Sequence, residues 1–345
     1  MVEDLGHHGD AEVRDAVIRH DFAVNVRVKG PPRWLRDRLT AGIETLAAYP
    51  DPREATEAVA ERHGRSPDEV LLTSGAAEAF VLLARVLTPR RALVVHPQFT
   101  EPEAALRAAG HPVERHILTG DFTLDPARVP TGPDLVMIGN PTNPTSVLHP
   151  AAAIELLQSK GRTIVVDEAF MDAIPGETET LAGHPDVVVI RSLTKTWGLA
   201  GLRIGYVLGP APLISTLKAA QPLWSVSTLG LIAAQATSEP EALAEAEALA
   251  KQDDQDRDHL LARLAELPGL TVPALSRAPF VLVRTPNAAA LRVGLRAEGI
   301  AVRRGDTFPG LGPQWLRLAV RDRTATDLLV DRWQQLAATP WSGPG

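Results

Sequence analysis

Short, nearly uninterrupted apolar runs recur through the first two thirds of the chain at 69–73, 91–95, 135–138, 163–167, 187–190 and 203–208, with stretches of mixed polarity between them. Continuous hydrophobic runs of this length suit strands buried on both faces, and the intervening stretches suit crossover helices. The pattern predicts an α/β fold with a mostly parallel, doubly wound sheet. Helices are expected over 78–87, opened by the small-residue turn Ser74-Gly75, and over 101–110 and 151–160, both ending at a glycine. From 229 to 267 the texture becomes rich in Ala, Glu and Leu, which predicts one extended linking helix. Strands near 280–283, 300–303 and 315–320, with helices near 288–298 and 326–336, then predict a small α+β unit. The expected organisation is an N-terminal arm (1–30), a large domain (31–228), the linking helix with a small C-terminal domain (229–340) and a frayed tail (341–345).

Composition narrows the function. A chain of 345 residues with 45% hydrophobic content can bury a sizeable core, and a net charge of -7 offers no basic excess to attract nucleic acid or an anionic membrane. There is no cysteine, which removes disulfides and thiolate metal sites and fits a reducing compartment. No run approaches the roughly 20 apolar residues needed to span a bilayer, and the first residues lack a leader pattern. The expectation is a cytoplasmic enzyme without metal, membrane or nucleic-acid partners. The Asp/Gln-rich run 252–258 reads as a solvated helix face.

The chemistry concentrates in residues 191–206, Arg-Ser-Leu-Thr-Lys-Thr-Trp-Gly-Leu-Ala-Gly-Leu-Arg-Ile-Gly-Tyr. Lys195 lies three residues after Ser192 and eight before Arg203. An amine between a hydroxyl and a guanidinium suits an aldehyde cofactor that carries a phosphate: the lysine condenses with the aldehyde while the other two hold the dianion. Asp167 ends an apolar strand, where a carboxylate is presented to a ligand. Asn143 lies in Gly-Asn-Pro-Thr-Asn-Pro-Thr (139–145), and Ser74, Gly75 and Ala76 join a strand to a helix whose first N–H groups favour an anion. Each piece also has an ordinary reading: a solvated lysine, a helix-capping aspartate, Asn-Pro turns, a glycine at a strand–helix junction.

Taken together, in this order and spacing, the segments resemble the class I/II aminotransferases of fold type I, which use pyridoxal 5'-phosphate. The resemblance implies that Lys195 holds the cofactor, that Asp167 pairs with its ring nitrogen, and that Asn143 bonds its phenolic oxygen. Ser74, Gly75, Ala76, Ser192 and Arg203 would take the phosphate. Phe99 matches the aromatic that stacks on the ring, against the competing view of a core phenylalanine. Tyr49, in Tyr-Pro-Asp-Pro (49–52), matches the tyrosine that reaches the phosphate of the neighbouring subunit's cofactor, which implies a homodimer. Phe170 stands where many relatives have tyrosine, so more of the tuning at the phenolic oxygen falls on Asn143.

Within the superfamily the resemblance narrows to histidinol-phosphate aminotransferase and L-threonine O-3-phosphate decarboxylase. His8-Gly9-Asp10, the segment 21–26 that contains Asn25, and Gly30-Pro-Pro look more like the decarboxylase, although Asp10, Arg27 and Lys29 depart from its pattern. Arg303 and Arg317 would hold the substrate carboxylate in the decarboxylase, or its phosphate in the aminotransferase; surface ion pairs are their ordinary alternative. His8, Asn25, Arg303 and Arg317 are therefore the expected substrate contacts. The leading expectation is decarboxylation of threonine phosphate to an aminopropanol phosphate for cobalamin biosynthesis. The alternative is transamination of histidinol phosphate or another amino acid with 2-oxoglutarate. A ligand-sensing regulator would need an attached DNA-binding domain, for which the chain has no room.

Overall fold

The apolar runs become strands of one seven-stranded sheet, and the computed structural model describes residues 5–14, 17–28 and 30–338. The expected tail (341–345) and Lys29 lie outside the described residues. The strands are β1 (His20–Phe22), β2 (Val70–Thr73), β3 (Ala92–His96), β4 (Val113–Ile117), β5 (Leu135–Gly139), β6 (Thr163–Asp167), β7 (Val188–Ser192), β8 (Gly205–Leu208), β9 (Phe280–Arg284), β10 (Ile300–Arg304) and β11 (Trp315–Ala319). The helices are α1 (Arg33–Gly42), α2 (Arg53–His63), α3 (Gly75–Leu87), α4 (Glu101–Ala108), α5 (Ala151–Glu155), α6 (Ala211–Ala220), α7 (Thr228–Ala236), α8 (Pro240–Leu264), α9 (Ala288–Ala297) and α10 (Arg323–Ala338).

The large sheet has the order β2-β8-β7-β6-β5-β3-β4. Only β8 runs against its neighbours, so β2, antiparallel to β8, points the same way as β7. Successive residues alternate between two cores: Val70, Leu72, Val136, Ile138, Val166 and Val189 face one, while Leu71, Leu135, Met137, Val165 and Val188 face the other. The first core is covered by residues of α1, α2, α5 and α7, the second by α3, α4 and α6. Burial on both faces explains why these strands read as unbroken apolar runs.

A second sheet, β1-β10-β11-β9, packs with α9, α10 and the far end of α8 around Phe22, Leu260, Leu295, Val302 and Leu318. Its edge strand β1 comes from the segment expected as an arm and pairs in parallel with β10.

Several local expectations need correction. The single linking helix is two, because Ser238 and Pro240 separate α7 from α8, and proline cannot supply the N–H that would continue the first helix. The helix expected over 151–160 stops at Glu155. The strand expected from 203 starts at Gly205, since Arg203 has a left-handed backbone with φ of 59°. Strands β1 and β4 and helices α1, α2 and α6 were not anticipated. The run 252–258 is not simply solvated either: Asp253 pairs with Arg27, and Arg257 is buried.

Candidate active site

Because β2 runs with the parallel strands, the carboxyl ends of β2, β3, β5, β6 and β7 all open on one edge of the large sheet, where such folds bind ligands. A cavity of about 420 Å³ lies there. From the large sheet it takes Gly75 and Ala76 at the start of α3, Phe99 after β3, Asn143 after β5, Asp167 at the end of β6, Ser192 at the end of β7, and Lys195 with Arg203 just beyond. From the other side it takes His8, Asn25, Arg303 and Arg317. The fold therefore gathers almost every residue singled out in the sequence. Phe170 and Asp10 also line the cavity.

Two do not line it. Ser74 precedes α3, and its backbone N–H donates to Glu78 at 2.5 Å. Tyr49 is 76% exposed and stacks on Trp224, with ring centroids 4.2 Å apart, away from the cavity of its own chain.

Electrostatics suit a bound anion and an amine that reacts near neutral pH. Burial pushes the Lys195 ammonium down to about 8, helped by the positive charges of Arg317 and Arg203 and opposed by Asp167. Burial pushes the Asp167 carboxyl up to about 6, although it accepts the Ala169 N–H at 3.1 Å and feels the charge of Lys195. The Arg203 guanidinium sits over the start of α3: a Cβ on Gly75 would lie 2.6 Å from its Nη2, and Gly75 has φ of +76°. Glycine is needed there for both backbone and space. Gly205 is similarly confined: a Cβ there would lie 2.6 Å from the Arg191 carbonyl oxygen and 3.1 Å from the Ala76 nitrogen.

Arg303 and Arg317 face each other in the β10–β11 register and are 2% and 4% exposed, so they are not surface ion pairs. Arg317 donates from Nη1 to Asn143 Oδ1 at 2.6 Å and from Nη2 to the Ala23 carbonyl. Arg303 donates to the His7 carbonyl at 2.8 Å and to Thr307 Oγ1 at 2.7 Å. Among the described residues, Arg317 Nε and both amide atoms of Asn25 lack hydrogen-bond partners, whereas Arg303 Nη1, which makes no hydrogen bond, has Glu12 Oε1 at 3.7 Å as its ion-pair partner. Buried polar atoms left unpaired beside a cavity need a ligand to complete them.

The sequence reading missed the groups behind this wall. Strand alternation turns Glu168 and Arg191 away from the cavity just as it turns Asp167 and Ser192 toward it. Glu168 Oε2 meets Arg191 Nε at 2.9 Å, and Arg191 also binds Asp172 at 2.7 Å. Two adjacent strand ends, each with a charged residue beside a pocket residue, were the available signal. Glu12 was missed too: it is buried and holds Arg292 at 2.6 Å. Among the described residues no group of His, Asp and Glu is placed to hold a metal ion, and no helix is long and apolar enough to cross a membrane.

Residues 23–332 match the family Aminotransferase class I and II. The chain belongs to this family. Its members use pyridoxal 5'-phosphate, and the chain is an enzyme of that cofactor class with the fold type I architecture. A Mycobacterium bovis protein named histidinol-phosphate aminotransferase is 49% identical, with 91% of this chain and 86% of the relative covered. The threonine-phosphate decarboxylase of Salmonella typhimurium is 28% identical, with 90% and 89% covered. The crystal structure of the histidinol-phosphate aminotransferase from Clostridium acetobutylicum shares the fold, with a TM-score of 0.84 at 23% identity over 92% of this chain and 98% of that one. Similarity thus favours the aminotransferase alternative over the decarboxylase expectation.

The residues fit the family's cofactor. Glycine with an arginine over a helix N-terminus makes a phosphate cradle, and a carboxyl removed from bulk water suits a cationic ring nitrogen. Asp167→Asn should divide stability from activity. The folded pKa of Asp167 lies above its unfolded value, so wild-type stability falls as pH rises from about 4 to about 6, and the deficit persists above that. In cofactor-free protein at pH 8 the asparagine variant is expected to be about 1–2 kcal/mol more stable, with no gain near pH 4, as read by urea unfolding. Turnover by the holoenzyme should fall about 100-fold or more.

Proposed function

We propose that the protein is an aminotransferase that takes a phosphorylated amino donor of the histidinol-phosphate kind and passes its amino group to 2-oxoglutarate. The observation that carries this reading is the placement of two buried arginines, Arg303 and Arg317, in the cavity that holds Lys195, with Arg317 Nε lacking a hydrogen-bond partner among the described residues. The 49% identity to a protein named histidinol-phosphate aminotransferase supports it. One anionic group of each substrate, phosphate on the donor and carboxylate on the acceptor, would meet the guanidinium pair.

When bound, pyridoxal 5'-phosphate supplies an electron-withdrawing ring that weakens a bond at the substrate's α-carbon. Lys195 would hold the cofactor by its aldehyde carbon, and its amine, held down to about 8 by burial, is suited to move the proton at the α-carbon. Asp167 would pair with a protonated ring nitrogen, Asn143 with the phenolic oxygen and Phe99 with the face of the ring. Ser192, Arg203 and the N–H groups of Gly75 and Ala76 would hold the phosphate, with Ser74 setting the start of α3. Phe170 packs edge-on against Phe280 with centroids 5.0 Å apart and offers no hydroxyl, so Asn143 acts there without it.

A second reading, decarboxylation of threonine phosphate, is favoured by His8 and Asn25, which line the same cavity. The two separate in one assay. Histidinol phosphate with 2-oxoglutarate should yield glutamate; threonine phosphate should release no CO2. Release of CO2 with no glutamate would reverse the assignment.

The active form is proposed to be a homodimer. Tyr49, Leu223 and Trp224 are exposed apolar residues near a cavity of about 580 Å³ that includes Pro50, Val70 and Leu72. Large exposed apolar groups gathered in this way mark an interface. With Tyr49 completing the partner's phosphate site, mixing Lys195→Ala with Tyr49→Phe protein should regain activity through heterodimers with one intact site. Mixtures no more active than the Tyr49→Phe protein alone, despite demonstrated subunit exchange, would contradict the shared site.

A further inference from the structure

Two stretches that the sequence left without a role meet in the structure. Arg27 departs from the family pattern, and Asp253 lies in the run expected to be solvated. Arg27 Nε is 2.5 Å from Asp253 Oδ2, and the two side chains are 4% and 19% exposed. Among the described residues none of the three guanidinium nitrogens of Arg27 has a hydrogen-bond partner, so the ion pair with Asp253 is the compensation for that charge. Asp256, Arg257 and Arg321 are the other charged groups that act on Asp253.

The backbone of Arg27 has a second engagement: its N–H donates to the Lys195 carbonyl at 3.1 Å. The residues just before it are gripped from the small sheet. Arg317 donates to the Ala23 carbonyl, and Arg321 donates to the carbonyls of Asp21 at 2.7 Å and Val24 at 2.6 Å. Residues 21–27 thus form a strap from the edge of the small sheet to the lysine, and Arg27 is its final anchor. The anchor point is on α8, which also reaches past the β6 end, where Glu247 accepts the Gly176 N–H at 2.8 Å.

We propose that Arg27 and Asp253 are a positioning pair for Lys195: by fixing the strap that holds the lysine's carbonyl, they set where its Nζ stands for proton transfer. The proposal rests on the amino-transfer reading for the step in which Lys195 moves a proton. Removing one partner leaves a buried charge uncompensated, so the strap shifts to reach water, and removing both deletes the ion pair that anchors its end, so in either case the strap is released. A displacement on the ångström scale at a reacting amine is enough to slow chemistry without abolishing binding.

The test uses holoenzyme of Arg27→Gln, Arg27→Lys and the double variant Arg27→Met/Asp253→Leu, with thermal midpoints measured for each. Two readouts are followed: the half-reaction with L-glutamate and with α-deuterated L-glutamate, and the pH at which the visible band of the lysine-bound cofactor changes. Arg27→Gln should slow the half-reaction about 10- to 100-fold, enlarge the isotope effect and shift the pH midpoint. Arg27→Lys should recover most of the rate by keeping a cation beside Asp253. The double variant, which buries no charge, should fold with a near-normal thermal midpoint and stay slow. Wild-type rate, isotope effect and pH midpoint in a folded Arg27→Gln or double variant would overturn the proposal. If Arg27→Gln does not fold, the double variant decides. If wild type gives no half-reaction with L-glutamate, amino transfer itself fails, and an unchanged pH midpoint in the double variant then overturns the positioning role separately.

Discussion

A Lys195→Ala protein is expected to lose turnover on the order of 10⁵-fold, the scale seen when a covalent nucleophile that doubles as a proton carrier is removed. The size follows from the absence of a substitute among the described residues: Lys160 follows α5, Lys218 is on α6 and Lys251 on α8, and none of them lines the cavity. Borohydride treatment of wild type should fix the cofactor on the peptide that contains residue 195, and the alanine protein should take up no such label. Turnover at the normal rate by the alanine variant would remove the basis of the assignment. In cofactor-free protein the substitution should not be costly, because a buried ammonium held down to about 8 is itself destabilising below that pH.

Arg317→Lys is the second large effect. Arg317 already spends Nη1 on Asn143 and Nη2 on the Ala23 carbonyl, which leaves its planar fork oriented and Nε unpaired among the described residues. A lysine has one ammonium and cannot hold Asn143, the strap and a substrate oxyanion together. KM for a substrate that Arg317 binds should rise about 100-fold, while the visible spectrum of the resting holoenzyme stays largely unchanged. If the guanidinium takes a carboxylate, the penalty should appear with glutamate and vanish with an analogue that lacks the carboxylate. If it takes a phosphate, the penalty should persist with histidinol phosphate.

Much of this site was legible because it is local in sequence. Lys195, Ser192 and Arg203 lie on one strand end and the turn that follows, and Asp167 ends a strand whose three central residues, Ile164, Val165 and Val166, are buried and apolar. The strands of the large sheet were readable for the same reason: burial on both faces leaves an unbroken apolar signal. Strand β4, Val-Glu-Arg-His-Ile, is only half-buried at the sheet edge and carries no such signal. Strand β1 is three residues long and exists because β10 pairs with it. The least legible features are pairings across the chain. Nothing in the local pattern joins Arg27 to Asp253 or Glu12 to Arg292, and a buried charge looks like a solvated one until its partner is placed. The Ala/Glu/Leu texture of 229–267 hides the break at Ser238, which Pro240 marks.

The step that separates amino transfer from decarboxylation is best tested by a single turnover with stoichiometric L-glutamate and no acceptor. Amino transfer requires one 2-oxoglutarate per Lys195, loss of the band of the lysine-bound cofactor, and no CO2. Release of CO2 without 2-oxoglutarate would contradict it.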